Sequence, residues 1–168
     1  MSSEPDELLK ILEIHGAELH ALLTRLTLRA EVAEDLLQEL FLKLRRAAGF
    51  TRAVDRKAYA IRAAVHLAFD WRRMRRTTEP LLSDPPGVAE SPLERLIDAD
   101  ELDRILDAMQ KLSELSRQVL VLHYIEHQDY ARIAAQLGKT EHQVRGLCHK
   151  GLTKLRTICR QPAHEPEN

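Results

Sequence analysis

Five residues that resist helix, Pro80, Pro85, Pro86, Gly87 and Pro92, fall within the sixteen positions from Thr77 to Pro92. Each proline removes a backbone donor and holds φ near about −65°, so proline at this density blocks helix. A stretch of this kind reads as a linker between separately folded parts. On either side of it, apolar residues recur at helical spacing. Leu8, Leu9, Ile11, Leu12, Leu19, Leu22, Leu23 and Leu26 mark one helix through 6–28. The pattern returns through 32–48 and 57–76, and again, with interruptions, from about Leu93 to Arg160. Few runs of β-branched or aromatic residues are present to favour a sheet. The expected fold class is all-α: two small helical domains, residues 1–76 and 93–168, joined by a proline-rich acidic linker over 77–92.

Several function classes are set aside on composition. No stretch approaches the ~18–20 apolar residues that a membrane span needs, and Glu4, Asp6 and Glu7 occupy the place of a basic export leader. The two cysteines, Cys148 and Cys159, are expected on one helix, eleven residues apart and too distant to bridge. His123 and His127 have the four-residue spacing of helical metal ligands, yet no further Cys or carboxylate completes a set. Neither a glycine-rich phosphate loop nor a nucleophile motif occurs. The expectation is a reduced, cytoplasmic protein that is not an enzyme, with no metal, no cofactor and no membrane insertion.

A net charge of −1 conceals strong segregation. Residues 1–41 carry a net of −6, and residues 42–76 set eleven bases against Asp55 and Asp70 for a net of +9. Residues 77–109 carry −7, 110–160 carry +5 and the last eight −2. Two separate basic segments offer two places for a polyanion to dock.

Three helix faces give this charge a chemistry. At about 100° per residue, Leu36, Leu37, Leu40, Phe41 and Leu44 gather on one side of the helix through 33–44. Asp35, Gln38, Glu39 and Leu42 gather on the other, an acidic stripe suited to a basic protein partner. In the helix expected at 57–76, Arg62, His66, Phe69, Arg73 and Arg76 align by steps of four and three, while Arg56, Arg72 and Arg75 widen the basic surface. Guanidinium groups hold phosphates and a ring can stack on an unpaired base, so this ridge suits nucleic acid.

The third face belongs to a helix-turn-helix over 129–147. Ala134 supplies the small residue where the helices cross, and Gly138 the left-handed turn. Ile133, Leu137, Val144 and Leu147 fall where the two helices pack. Thr140 and Gln143 have capping-box spacing at the start of the second helix. His142, Arg145, Gly146, His149, Thr153 and Arg156 point outward, a basic and uncluttered face for a major groove.

With these residues in place, the chain resembles a bacterial RNA polymerase sigma factor of the small, two-domain extracytoplasmic-function type. AEDLLQELFLKL (33–44) is similar to the region-two helix that binds the polymerase clamp. YAIRAAVHLAFDWRRMRR (59–76) resembles the helix that reads and opens the minus-10 promoter element. The stretch from Leu112 to Leu155 resembles region four, whose helix-turn-helix reads the minus-35 element. The resemblance implies that Asp35, Gln38, Glu39 and Leu42 face the polymerase, and that Arg56, Arg62, His66, Phe69, Arg72, Arg73 and Arg76 serve the minus-10 element. It likewise assigns Thr140, His142, Arg145, His149, Lys150 and Arg156 to the minus-35 element. This chain departs from the family at several positions: Tyr59 replaces a usual Trp, His66 an Asn, Ser113 a Pro, Arg132 a Glu, Lys150 an Arg and Gly151 an Ala.

The implied partners are core RNA polymerase, promoter DNA and an anti-sigma factor, with the acidic linker threading the polymerase channels. The implied function is promoter-specific transcription initiation, with melting by the N-terminal domain. Two other classes remain open at this point: a stand-alone helix-turn-helix regulator, and a sigma mimic that binds an anti-sigma factor.

Overall fold

The computed structural model describes residues 4–78 and 99–161. The linker expected at 77–92 lies outside these residues, except for Thr77 and Thr78, which end a helix. The chain divides into two compact units, Met1–Leu96 and Ile97–Asn168.

In the first unit, α1 (Glu4–Thr27), α2 (Ala30–Arg46), the short α3 (Ala48–Arg52) and α4 (Arg56–Thr78) follow one another. The helices α1, α2 and α4 pack mutually. Leu19, Leu22, Leu23 and Leu26 of α1 are buried, as are Ala33, Leu36, Leu40 and Leu44 of α2. Steps of three and four put each set on one stripe, and removing those stripes from water drives the packing. Phe50 of α3 is also buried and meets the Tyr59 ring edge-on at 5.9 Å.

The turn between α1 and α2 is built from side chains as well as backbone. Thr27 donates its hydroxyl to the Leu23 carbonyl at 2.8 Å and accepts from the Arg29 amide at 3.3 Å. Leu28 takes a left-handed backbone (φ 60°) yet is buried. A left-handed leucine costs about 1–2 kcal/mol; burying its side chain returns about 1.5–3 kcal/mol. Burial therefore outweighs the strain.

Two ion pairs tie α1 to the start of α4: Glu7 with Arg56, and Glu18 with Lys57 at 2.9 Å. Burial raises the Glu18 pKa, but the hydrogen bond and charge of Lys57, with His15, outweigh it and leave the carboxyl below its ordinary value. A depressed carboxyl stabilises the fold above its unfolded pKa and loses that contribution as pH falls through the lower folded value. Glu18→Gln is therefore expected to be slightly less stable than wild type at neutral pH. The carboxyl is 41% exposed, so water limits the effect to a few tenths of a kcal/mol. Thermal melts in strong acid, where the wild-type carboxyl is itself protonated, should show the difference vanish.

The second unit contains α5 (Ala99–Met109), α6 (Glu114–Leu120), a π-helical segment Val121–Ile125, α7 (Tyr130–Leu137) and α8 (Glu141–Arg160). Ser113 caps α6 through its hydroxyl, which accepts from the Ser116 amide at 3.2 Å. The helix α8 packs against α5, α6 and α7, so it is the hub of the unit. Gly151 permits its close approach to α6: a Cβ there would lie 3.1 Å from Leu120 Cδ1 and 3.3 Å from Ser116 Cβ. Ser116 also donates to the Leu147 carbonyl at 3.2 Å, pinning the same crossing.

Candidate nucleic-acid interface

The helix-turn-helix forms as its sequence implies. Asp129 caps α7 by accepting the Arg132 amide at 2.7 Å. The helix stops at Gly138, whose φ of 62° is left-handed, and the Lys139 amide turns back to the Ala134 carbonyl at 2.9 Å. Both capping-box bonds are present at α8: the Gln143 amide to Thr140 Oγ1 at 3.2 Å, and the Thr140 amide to Gln143 Oε1 at 3.0 Å. Thr140→Ala removes the first of these and should cost about 1 kcal/mol. Amide exchange at Gln143 would then rise roughly fivefold, with the α8 interior unchanged.

Ile133 and Val144 are fully buried between α7 and α8, and Ala134 and Cys148 are buried beside them. Leu137 and Leu147 are half-buried. The opposite face of α8 carries His142, Arg145, His149 and Arg156, all exposed, with Lys150 exposed on its flank. Thr140 is exposed too, although its hydroxyl oxygen is engaged in the cap. The Arg145 guanidinium lies over the Tyr130 ring at 5.0 Å and within 3.8 Å of the Glu141 carboxylate. A hydrogen bond to Cys148, then burial, raises the Tyr130 pKa, and burial followed by Cys148 does the same for Tyr124. Both phenols therefore stay protonated at neutral pH.

The basic surface of α4 differs from its helical-wheel expectation. Arg62 is half-buried, while His66, Arg73 and Arg76 are exposed. Phe69 and Arg72, expected on the nucleic-acid face, are both buried, at 3% and 0% exposure. The reason is that α4 packs against α1, α2 and α3 together, so more than half its circumference is covered. Phe69 joins the core with Ile61, Val65 and Ala68. Arg72 donates Nε–H to the Leu26 carbonyl at 2.5 Å, filling the C-terminal end of α1. Arg56 is half-buried and engaged with Glu7 and the Thr51 carbonyl, so it ties helices together. Neither Phe69 nor Arg72 can stack on a base or reach a phosphate from these positions.

Asp70 takes the place left by Phe69 on the exposed side. It lies 3.4 Å from His66 Nε2 and 2.7 Å from Arg73 Nη2. Spacings of four and three make this cluster legible in the sequence. Tyr59, with the Arg62 guanidinium at 5.8 Å from its ring centre, is the half-buried aromatic on this side. Trp71 lies elsewhere on α4 and is approached by Arg75 at 5.6 Å and Arg29 at 5.9 Å.

On α2 the acidic stripe is present as read. Asp35, Gln38 and Glu39 are exposed, and Leu42 is 45% exposed beside them. Leu36, Leu40 and Leu44 hold the opposite side in the core.

The expected helical spacing of His123 and His127 is not realised. After Leu120 the backbone widens into the π segment, the Glu126 amide reaches the Val121 carbonyl at 3.0 Å, and His127 is left-handed (φ 53°). His123 Nδ1 instead lies 2.9 Å from the Gln128 carbonyl. Among the described residues no group of three or more His, Cys, Asp or Glu side chains is placed to hold a metal ion. None of the described helices is long and apolar enough to cross a membrane.

Comparison with known proteins agrees with this geometry. The family description "Sigma-70 region 2" matches residues 11–78, and "Sigma-70, region 4" matches residues 102–155. The RNA polymerase sigma factor FliA of Salmonella typhimurium is 35% identical over 68 residues, covering 40% of this chain and 28% of that protein. FliA of Escherichia coli is 31% identical over 88 residues, covering 52% of this chain and 36% of that protein. The chain thus spans about a third of the length of these curated relatives. Among solved structures, the sigma factor RpoE of Bartonella quintana, crystallised with the anti-sigma factor NepR, has a similar fold. Its TM-score is 0.53 at 16% identity, over 92% of this chain and 97% of that one. With region 2 falling in the first compact unit and region 4 in the second, this chain belongs to the sigma-70 family of RNA polymerase sigma factors.

Proposed function

We propose that the protein is an alternative sigma factor that binds core RNA polymerase and directs it to a restricted set of promoters. The observation that carries this reading is one fold with three exposed surfaces: the acidic stripe of α2, the basic side of α4 and the basic outer face of α8. Asp35, Gln38, Glu39 and Leu42 dock the polymerase. Arg145, His149, Lys150 and Arg156 engage the minus-35 element in its major groove, with His142 near the helix start and Thr140 at its cap. Arg62, His66, Arg73 and Arg76 serve the minus-10 element, and Phe69 and Arg72 support them from the core. Residues 1–76 and 93–168 are the two promoter-binding domains, and 77–92 is their tether.

Melting needs no ATP in this scheme. Holding a base out of the stack costs a few kcal/mol per step, which contacts between a cationic surface and the separated strand can supply. The test is run-off transcription with purified core polymerase and native genomic fragments. Start sites that require this protein are expected; their complete absence would overturn the reading.

A further inference from the structure

The aromatic pair behind Arg145 has no part in the reading above. Tyr130 is the first residue of α7, and its ring stacks on the His123 imidazole with centroids 4.4 Å apart and planes within 16°. The imidazole is itself oriented. A carbonyl oxygen only accepts, so His123 Nδ1 is the donor to Gln128 at 2.9 Å. It is the π segment that places His123 there. The Tyr130 hydroxyl lies 3.6 Å from Cys148 Sγ on the inner side of α8, which fixes the ring's far edge. On the outward side the Arg145 guanidinium covers the ring at 5.0 Å, and the Glu141 carboxylate, one turn earlier on α8, approaches it at 3.8 Å.

We infer that Tyr130, backed by His123, is a positioning residue that holds the Arg145 guanidinium ready for a base edge and so sets sequence discrimination by α8. The inference rests on the proposed DNA-reading role of that helix. A flexible arginine loses rotamer freedom on forming a paired contact with a base, whereas one already held over a ring loses less. Contact with a phosphate needs no such orientation. Tyr130 therefore acts on specific affinity and leaves non-specific affinity alone. The attraction between guanidinium and ring is electrostatic and belongs to the ring face, so phenylalanine preserves most of it and leucine does not.

The experiment uses the full chain in wild-type, Tyr130→Phe, Tyr130→Leu and Arg145→Ala forms, and the Tyr130→Leu/Arg145→Ala double variant. The first readout is nitrogen-15 relaxation at Arg145 Nε in the free protein. Order is expected in wild type and Tyr130→Phe and lost in Tyr130→Leu. The second compares binding to a duplex recovered by the wild-type protein from a randomised pool with binding to poly(dI-dC). Tyr130→Leu should lower that ratio by about three- to tenfold, leave poly(dI-dC) binding unchanged, and have no further effect once Arg145 is alanine. Arg145 Nε order that is indifferent to Tyr130→Leu, or an equal loss in the Arg145→Ala background, would overturn the positioning role. A pool from which wild type recovers no preferred sequence would instead overturn the DNA-reading role itself, and the inference with it.

Discussion

Arg72→Ala is expected to lower the melting temperature of the first unit by about 15 °C, corresponding to about 3 kcal/mol for a unit of this size. Trp71, the chain's one tryptophan, lies in that unit and reports its unfolding in the intact protein. Arg72 is fully buried, and its Nε–H satisfies the Leu26 carbonyl one residue before α1 ends. That carbonyl belongs to the last turn of α1, which has no further amide in the helix to bond and carries the negative end of the dipole. Leaving it buried and unpaired costs about 1–3 kcal/mol, and the void left by so long a side chain adds about 2 kcal/mol or more. Relief from burying a guanidinium works in the other direction. The loss prevails because alanine supplies neither the donor nor the volume. Arg72→Met keeps most of the volume and should recover about half the loss. A melting temperature for Arg72→Ala within a few degrees of wild type would show that the buried arginine contributes nothing net.

On the proposed docking role, Asp35→Lys combined with Glu39→Lys is expected to weaken binding to core polymerase by at least about a hundredfold, or about 2.7 kcal/mol. Both side chains are exposed on one face of α2, and their reversal turns an acidic stripe basic without touching Leu36, Leu40 or Leu44. Like charges brought together at an interface cost several kcal/mol, which sets the scale. The fold should be nearly indifferent: the Glu39–Lys43 pair at 3.9 Å is solvent-exposed, and its loss accounts for a few tenths of a kcal/mol. Titrating labelled core polymerase with each protein, beside a thermal melt, separates the two effects. Polymerase binding by the double variant equal to wild type would overturn the docking role of this stripe, whereas absence of binding by the wild type itself would favour a stand-alone DNA-binding regulator. In that event the selected-duplex binding of α8 would still remain.

The parts of the chain that were legible in sequence are those governed by local rules. Thr140 and Gln143 form their capping box, Gly138 takes its left-handed turn, and Ala33, Leu36, Leu40 and Leu44 define the inner face of α2. Each depends on residues within one or two turns of one another. The readings of Phe69 and Arg72 failed where a helical wheel must assume how many neighbours a helix has. A wheel with one apolar and one polar half describes a surface helix, and α4 is covered by three others. The π segment is local too, but the Gln128 amide bonds the Leu122 carbonyl and the His123 ring meets the Gln128 carbonyl, contacts at separations of six and five that no helical spacing of residue types announces.

Spacing and caps within the chain alone thus determined an all-α protein, a helix-turn-helix with a basic outward face, and an acidic stripe on α2. Tertiary structure alone decided that an arginine of the basic run would seal the end of α1, that Phe69 would join the core, and that Tyr130 would lie beneath Arg145. The division follows from the range of the forces. Backbone hydrogen bonding and i, i+3 or i, i+4 contacts are settled within a helix, whereas burial of a charge is settled only by what another helix leaves unsatisfied.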